Sequence, residues 1–370
     1  MSMKKISLFF ILLLTFFVVK NSFAQSQQNL KTSNQIYEGV VTQILEDKMI
    51  EVLPSVNQPY QKAEVEIINH DLKGKKVVAE LGGMIVTNEN LKAKPGDNVV
   101  ITQIKKVDGS EQFFISDFVR RDSLYFLAII FFVLVIIVGG IRGFTSFIGL
   151  IISFAVLIKY IIPQIVGGAN PVFIAISGSF IILISTLYLA HGISKKTTAA
   201  VFGTIISLII TGILAWVFVN VSKLSGFGSE EASFLNMLPG VKVNLQGILL
   251  AGIIIGSLGV LDDITVSQAT CVFELHQANK NLTWKDLYKS GQRICQDHIA
   301  SLVNTLVLAY VGVSLPLLLL FAFSGGEPAS VLLNREMIAN EIVRTLVGSI
   351  GLVTAVPITT AIAASFSTKK

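Results

Sequence analysis

Apolar positions along the chain fall into three patterns. Lys4 and Lys5 precede an unbroken apolar run from Ile6 to Val19, and Ser22-Phe23-Ala24 follows. A basic start, a short apolar core and a small-residue site make a secretory signal, and the same residues retained would make a signal anchor. Residues 1–24 are assigned to one of these two. Under either reading the lysines stay inside and the following segment is delivered outside.

From residue 25 to 123 the pattern changes to short alternating or β-branched runs: Ile36 to Ile44, Met49 to Leu53, Ala63 to Ile68, Lys76 to Leu81, Asn98 to Ile104 and Gln112 to Val119. Period 2 with turns between predicts strands. Pro95-Gly96-Asp97 and Asp108-Gly109 supply two of the reversals, because glycine accepts the positive φ a tight turn needs. About six strands predict a small extracytoplasmic all-β domain, OB-like or SH3-like in size, with the strand order open.

The third pattern is seven apolar stretches: Leu124 to Gly140, Phe144 to Ile162, Val172 to Ala190, Ala199 to Val221, Leu245 to Leu261, Ile299 to Phe323 and Ile338 to Ala364. Each is about long enough to cross roughly 30 Å of hydrocarbon as a helix. The fold class expected is therefore a polytopic α-helical membrane protein, with a membrane domain over 124–370. Between the fifth and sixth stretches, 264–297 reads as a cytoplasmic amphipathic segment on the inner membrane surface. Within it Thr283 is an N-cap with Asp286 three residues on, and Trp284 and Tyr288 form an aromatic edge.

Composition supports this division. The chain has 370 residues, 52% of them hydrophobic and 14% charged, and 26 of its 53 Lys, Arg, Asp and Glu lie in residues 25–123. So apolar a membrane block excludes an ordinary cytosolic enzyme. The loops assigned inside carry nine Lys and Arg, against five outside, which places the C-terminus in the cytoplasm. The net charge of +5 comes from residues beside apolar segments, without the basic stripe and stacking aromatics of a nucleic-acid surface. No P-loop, dinucleotide fingerprint or activated nucleophile is present, so no enzyme activity and no cofactor are expected. Cys271, His276, Cys295 and His298 lack the spacing of a zinc site.

Ionisable groups at membrane depth are costly and by default line an interior or a water cavity. Asp262 and Asp263 end the fifth apolar stretch, and the apolar residues after them suggest that the helix continues. Of the two, about 100° apart on a helix, Asp263 is taken as the inward one. Asp297 opens the sixth stretch with Asn304 on the same face, and Glu341 and Arg344 stand i, i+3 for an ion pair. These six residues are the candidate ion or proton path. Lys159 can snorkel to the nearby interface.

Several runs carry a family resemblance: Gly259-Val260-Leu261-Asp262-Asp263-Ile264, then Asp297-His298-Ile299 leading to Asn304-Thr305-Leu306, and Glu341-Ile342-Val343-Arg344 leading to Gly348-Ser349-Ile350-Gly351 and Val356-Pro357-Ile358-Thr359. From about Leu124 to Phe366 the chain resembles the YibE/F family of bacterial multi-pass membrane proteins. The resemblance implies the helical fold and a cell-membrane location, and it marks Asp263 and Asp297. It implies a transporter or a regulator without fixing which. The reading taken forward is transport of a small solute or ion, proton-coupled through intramembrane carboxylates. The alternative is a non-transporting accessory or regulatory protein whose β domain binds an envelope partner. Expected partners are the lipid bilayer, an envelope protein or second membrane subunit, and further copies of the chain.

Overall fold

A computed structural model describes residues 35–53, 56–82, 92–105, 110–238, 243–323 and 328–368. The signal assigned to 1–24 and the Asp108-Gly109 turn lie outside the described residues. The chain divides into two compact units, residues 1–129 and 130–370.

The first unit is a closed barrel of five strands: β1 (Gln35–Leu53), β2 (Val56–Ile67), β3 (Lys76–Leu81), β4 (Asn98–Lys105) and β5 (Glu111–Phe118). Their order is β1-β2-β3-β5-β4, closed by a parallel β3–β5 pairing, Ala79 opposite Phe113. That order decides for the OB-like barrel. Alternation places Val77, Ala79 and Leu81 of β3 and Val99 and Ile101 of β4 in the core with Tyr37, Val65 and Ile115. The expected turn is present at Gly96, where φ is 95° and the Lys94 amide donates to Asp97 Oδ2 at 2.8 Å.

One strand expectation is corrected. Residues 36–44 and 49–53 are not two strands, because β1 runs straight through the polar Glu46-Asp47-Lys48. Pairing with β2 is kept throughout, Glu46 opposite Lys62 and Lys48 opposite Tyr60, and the break in alternation is absorbed by register shifts between Val41 and Gln43 and between Ile44 and Glu46. The charges satisfy one another across the surface, with Glu46 at 2.8 Å from Lys48 and Asp47 at 2.7 Å from Lys92.

The second unit is helical. Helix α1 (Arg121–Val156) is broken at Gly140, whose φ of 56° and ψ of −138° leave the helical region. The chain folds back there. Phe132 and Phe147 would be about 22 Å apart along a straight helix, yet their ring centroids are 4.5 Å apart. A Cβ on Gly143 would overlap the Val135 carbonyl. The two expected stretches on either side of Gly140 are thus the arms of a helical hairpin. A π-helical turn (Leu157–Ile161) then joins α1 to α2 (Ile162–Val166). It falls just before Pro163, which has no N–H, and the Ile162 amide reaches the Leu157 carbonyl.

After these come α3 (Pro171–His191), α4 (Lys195–Val221), α5 (Glu230–Met237), α6 (Leu245–Ala278), α7 (Trp284–Val313), α8 (Leu315–Phe323), α9 (Ala329–Leu332) and α10 (Glu336–Thr368). Their starts are set by side-chain caps: Asn170 for α3, Ser194 for α4, Asn244 for α6, and the expected Thr283–Asp286 capping box for α7. Trp284 and Tyr288 stack with centroids 5.2 Å apart, and the indole donates to Ser365 Oγ at 3.0 Å. Among the described residues, five helical runs are long and apolar enough to cross a membrane, or six with α7, which bends by 44° between Gln296 and Ile299. Five to six long apolar helices fit a helical membrane protein with an N-terminal β domain.

Helices α4, α6 and α10 form the centre, with α4 antiparallel to the other two. Gly203 of α4 meets Thr359 of α10, and Gly351 of α10 meets Thr211 of α4, so each helix supplies the glycine at one level and the threonine at the other. A Cβ at either glycine would overlap the facing threonine hydroxyl, so the close approach requires glycine there. Helix α6 does not stop at Leu261. As the apolar residues after Asp263 suggested, the same helix continues, but it buries Ile264, Thr265, Gln268, Ala269 and Val272 in the bundle where a surface element was expected.

Candidate functional site in the helical unit

Small polar residues recur on the inward faces of the three central helices. They are Thr204, Ser207 and Thr211 on α4, Ser257, Thr265 and Gln268 on α6, and Asn340, Ser349, Thr359 and Thr360 on α10, none more than 7% exposed. Along α10, Asn340 to Thr360 covers about 30 Å, the thickness of the hydrocarbon layer.

Part of this seam is closed by its own hydrogen bonds. Thr204 and Thr265 share one at 2.6 Å. The Gln268 amide donates to Thr360 Oγ1 at 2.5 Å and to the Gly291 carbonyl at 3.2 Å, while the Cys295 thiol donates to Gln268 Oε1. This node ties α6, α7 and α10 together. Other groups have no such partner: Asn340 Oδ1, Ser349 Oγ, Thr359 Oγ1 and Arg344 Nε are buried without a hydrogen bond. So are Ser179 Oγ on α3 and Asp262 Oδ1 on α6. Buried polar atoms are rarely left unpaired, so these atoms mark the part of the interior that most needs a ligand or water.

The candidate residues distribute as follows. Asp262, rather than Asp263, is the inward carboxylate: Asp262 is half-buried and Asp263 exposed. The buried face of α6 is defined by Leu258, Leu261, Thr265, Gln268 and Val272. At about 100° per residue Asp262 falls on the edge of that face, and Asp263 falls roughly opposite its centre. Asp262 is met there by the Thr186 hydroxyl of α3. Asp263 instead shares the surroundings of His191, at the end of α3, with Lys196 and Arg142.

Glu341 and Arg344 form the expected ion pair at 2.9 Å, with Tyr310 of α7 within electrostatic reach of both. Gly256 of α6 lies beside the Tyr310 hydroxyl. Asn304 lies exposed on α7. Asp297 belongs to α7, and its side chain lies outside the described residues.

The hydroxyls and Gln268 escaped notice in the sequence, since Ser, Thr and Gln in apolar runs carry no charge to flag them. One signal was available, the i, i+3, i+7 recurrence of Thr204, Ser207 and Thr211, which places three hydroxyls on one helix face. A family described as YibE/F-like protein matches residues 127–369. No curated protein and no solved structure matches the chain.

Proposed function

The chain belongs to the YibE/F-like family, and from that premise we propose that it is a membrane transporter passing a small solute or ion through the helical unit. In this reading it sits in the cell membrane with its barrel outside and its C-terminus inside. The arms of the α1 hairpin cross separately, giving seven crossings. The observation that carries the proposal is the run of buried polar side chains between α4, α6 and α10. It extends from Asn340 to Thr360 and includes unpartnered atoms of Asn340, Ser349 and Thr359. Hydrogen-bonded hydroxyls also hold the helices of a plain anchor together, so the weight rests on the unpartnered atoms, which are costly where lipid is the solvent.

The test is reconstitution of the full chain in liposomes loaded with a pH-sensitive dye, under imposed proton, sodium and potassium gradients. Faster dissipation of at least one gradient than in empty vesicles is the expected result. Equal rates in both, with folding verified, refute it.

A second reading rests on the strand order of the barrel. Small closed barrels of the OB type present the β2–β3 face and adjoining loops to extended ligands, and a barrel doing so here would bind an envelope partner. Removing residues 30–118 would then abolish the cellular phenotype, while blocking the helical interior would not.

A further inference from the structure

Unpartnered groups on α3 and α6 line up with one another. The two helices run parallel and in contact from end to end: Pro171 packs on Gly247 near their starts, and Thr186 faces Asp262 near their ends. Ser179 lies seven residues before Thr186, two helical turns away on the same face, which carries it to the α6 side about 10 Å nearer the helix starts. Its hydroxyl is fully buried and has no partner. At the start of the seam is a cavity of about 230 Å³ lined by Gly168, Asn170, Pro171, Val243 and Asn244. Gly149 of the hairpin packs against Thr186 from a third side.

The hydrogen bonding at the deep end is incomplete. Thr186 has a single hydroxyl proton, and the Ile182 carbonyl accepts it at 2.9 Å. Thr186 also stands as a hydrogen-bond partner of Asp262, and its one proton cannot serve the Ile182 carbonyl and the carboxylate together, while Asp262 Oδ1 has no donor at all. The neighbouring charge acting on Asp262 is that of Asp263. Oxygen atoms facing one another in this way are satisfied when a proton or a small cation lies between them.

We propose that the α3–α6 seam holds a monovalent-cation site, a proton or Na⁺ bound by the Asp262 carboxylate and the Thr186 hydroxyl and reached past Ser179 from the Asn170–Asn244 cavity. The proposal deepens the transport reading by naming the coupling ion class and the carboxylate. Charged groups around it are Asp263 on the same helix, His191 on α3, and Lys196 and Arg142 beside His191. All of these stand on the side of Asp263.

The experiment is covalent labelling of the purified full-length protein with dicyclohexylcarbodiimide, which modifies carboxyl groups in apolar surroundings, followed by peptide mass mapping. Label is expected on Asp262 and retained in Asp263→Asn. A sodium site predicts several-fold protection of wild type by NaCl over choline chloride at constant pH. A proton site predicts no such protection and a several-fold fall in labelling as pH is raised. Label on Asp263 with none on Asp262, no label at all, or label on Asp262 indifferent to both pH and Na⁺ each overturns the proposal. The measurement needs no transport. A chain that is protected by cation but dissipates no gradient therefore refutes only the transport reading, and one that dissipates a gradient with Asp262 unlabelled refutes only the site.

Discussion

Replacing Gly203 by alanine tests whether the α4–α10 crossing is set by glycine. The new methyl would overlap Thr359 Oγ1 and lie 3.0 Å from Thr359 Cβ and 3.2 Å from its Cγ2. Rotating the threonine exchanges one γ atom for another and leaves Cβ in place, so relief requires the helices to separate. Overpacking of this kind costs about 2–3 kcal/mol, and the better helix propensity of alanine returns about 1 kcal/mol. Gly203→Ala should therefore destabilise by roughly 1–2 kcal/mol. Thr359→Ala should cost little, since its hydroxyl has no partner to lose. In the double variant the methyl at 203 fills the space vacated at 359, so the two changes should compensate by about 1.5 kcal/mol or more. The assay is reversible unfolding of the detergent-solubilised chain in a denaturing-detergent titration, read for the wild type, both single variants and the double. Additive effects would refute the packing argument, as would a stabilised Gly203→Ala.

Three further outcomes are expected. Glu46, Asp47 and Glu64 are held below the usual carboxylate range by Lys48, by Lys92, and by Lys76 with Thr42 respectively. Their stabilisation is therefore present above the unfolded values near about 4 and lost as pH falls through the lower folded ones. Amide hydrogen exchange in β1 to β3, corrected for its intrinsic pH dependence, should show protection falling below about pH 4, and protection unchanged down to about pH 2 would count against these pairs.

The Glu336 carboxylate accepts from the Ser225 and Gly226 amides at 2.7 and 2.8 Å and from the Ser225 hydroxyl. Glu336→Gln should speed exchange at residues 224–228 by about tenfold, as expected for roughly 1.5 kcal/mol of charge-assisted bonding. Gly140→Ala places a side chain in a backbone region used almost only by glycine. In a Phe132→Cys/Phe147→Cys pair built without the native cysteines, short-reagent crosslinking should fall several-fold on adding it, and unchanged crosslinking would argue against a hairpin turning at Gly140.

What could be read from the sequence was local. The Thr283–Asp286 capping box and the Glu341–Arg344 pair join residues three apart, a spacing that any helix brings together, and both are present. Apolar length alone predicted long helices, because a helix satisfies its own backbone in lipid wherever its neighbours lie. Period 2 marked most of the barrel strands because successive side chains point to opposite faces whichever strand pairs alongside.

Tertiary partners decided the rest. Glu46-Asp47-Lys48 looks like a turn until β2 lies alongside and pairs each residue, which makes it the middle of β1. Asp262 and Asp263 are equivalent by helical spacing, and only the position of α3, with Thr186 against one side of α6, turns Asp262 inward. The unpartnered hydroxyls of Ser179 and Thr359 have no signature in the chain at all. A hydroxyl is unremarkable until packing removes both water and every alternative acceptor, and that depends on where the neighbouring helices sit.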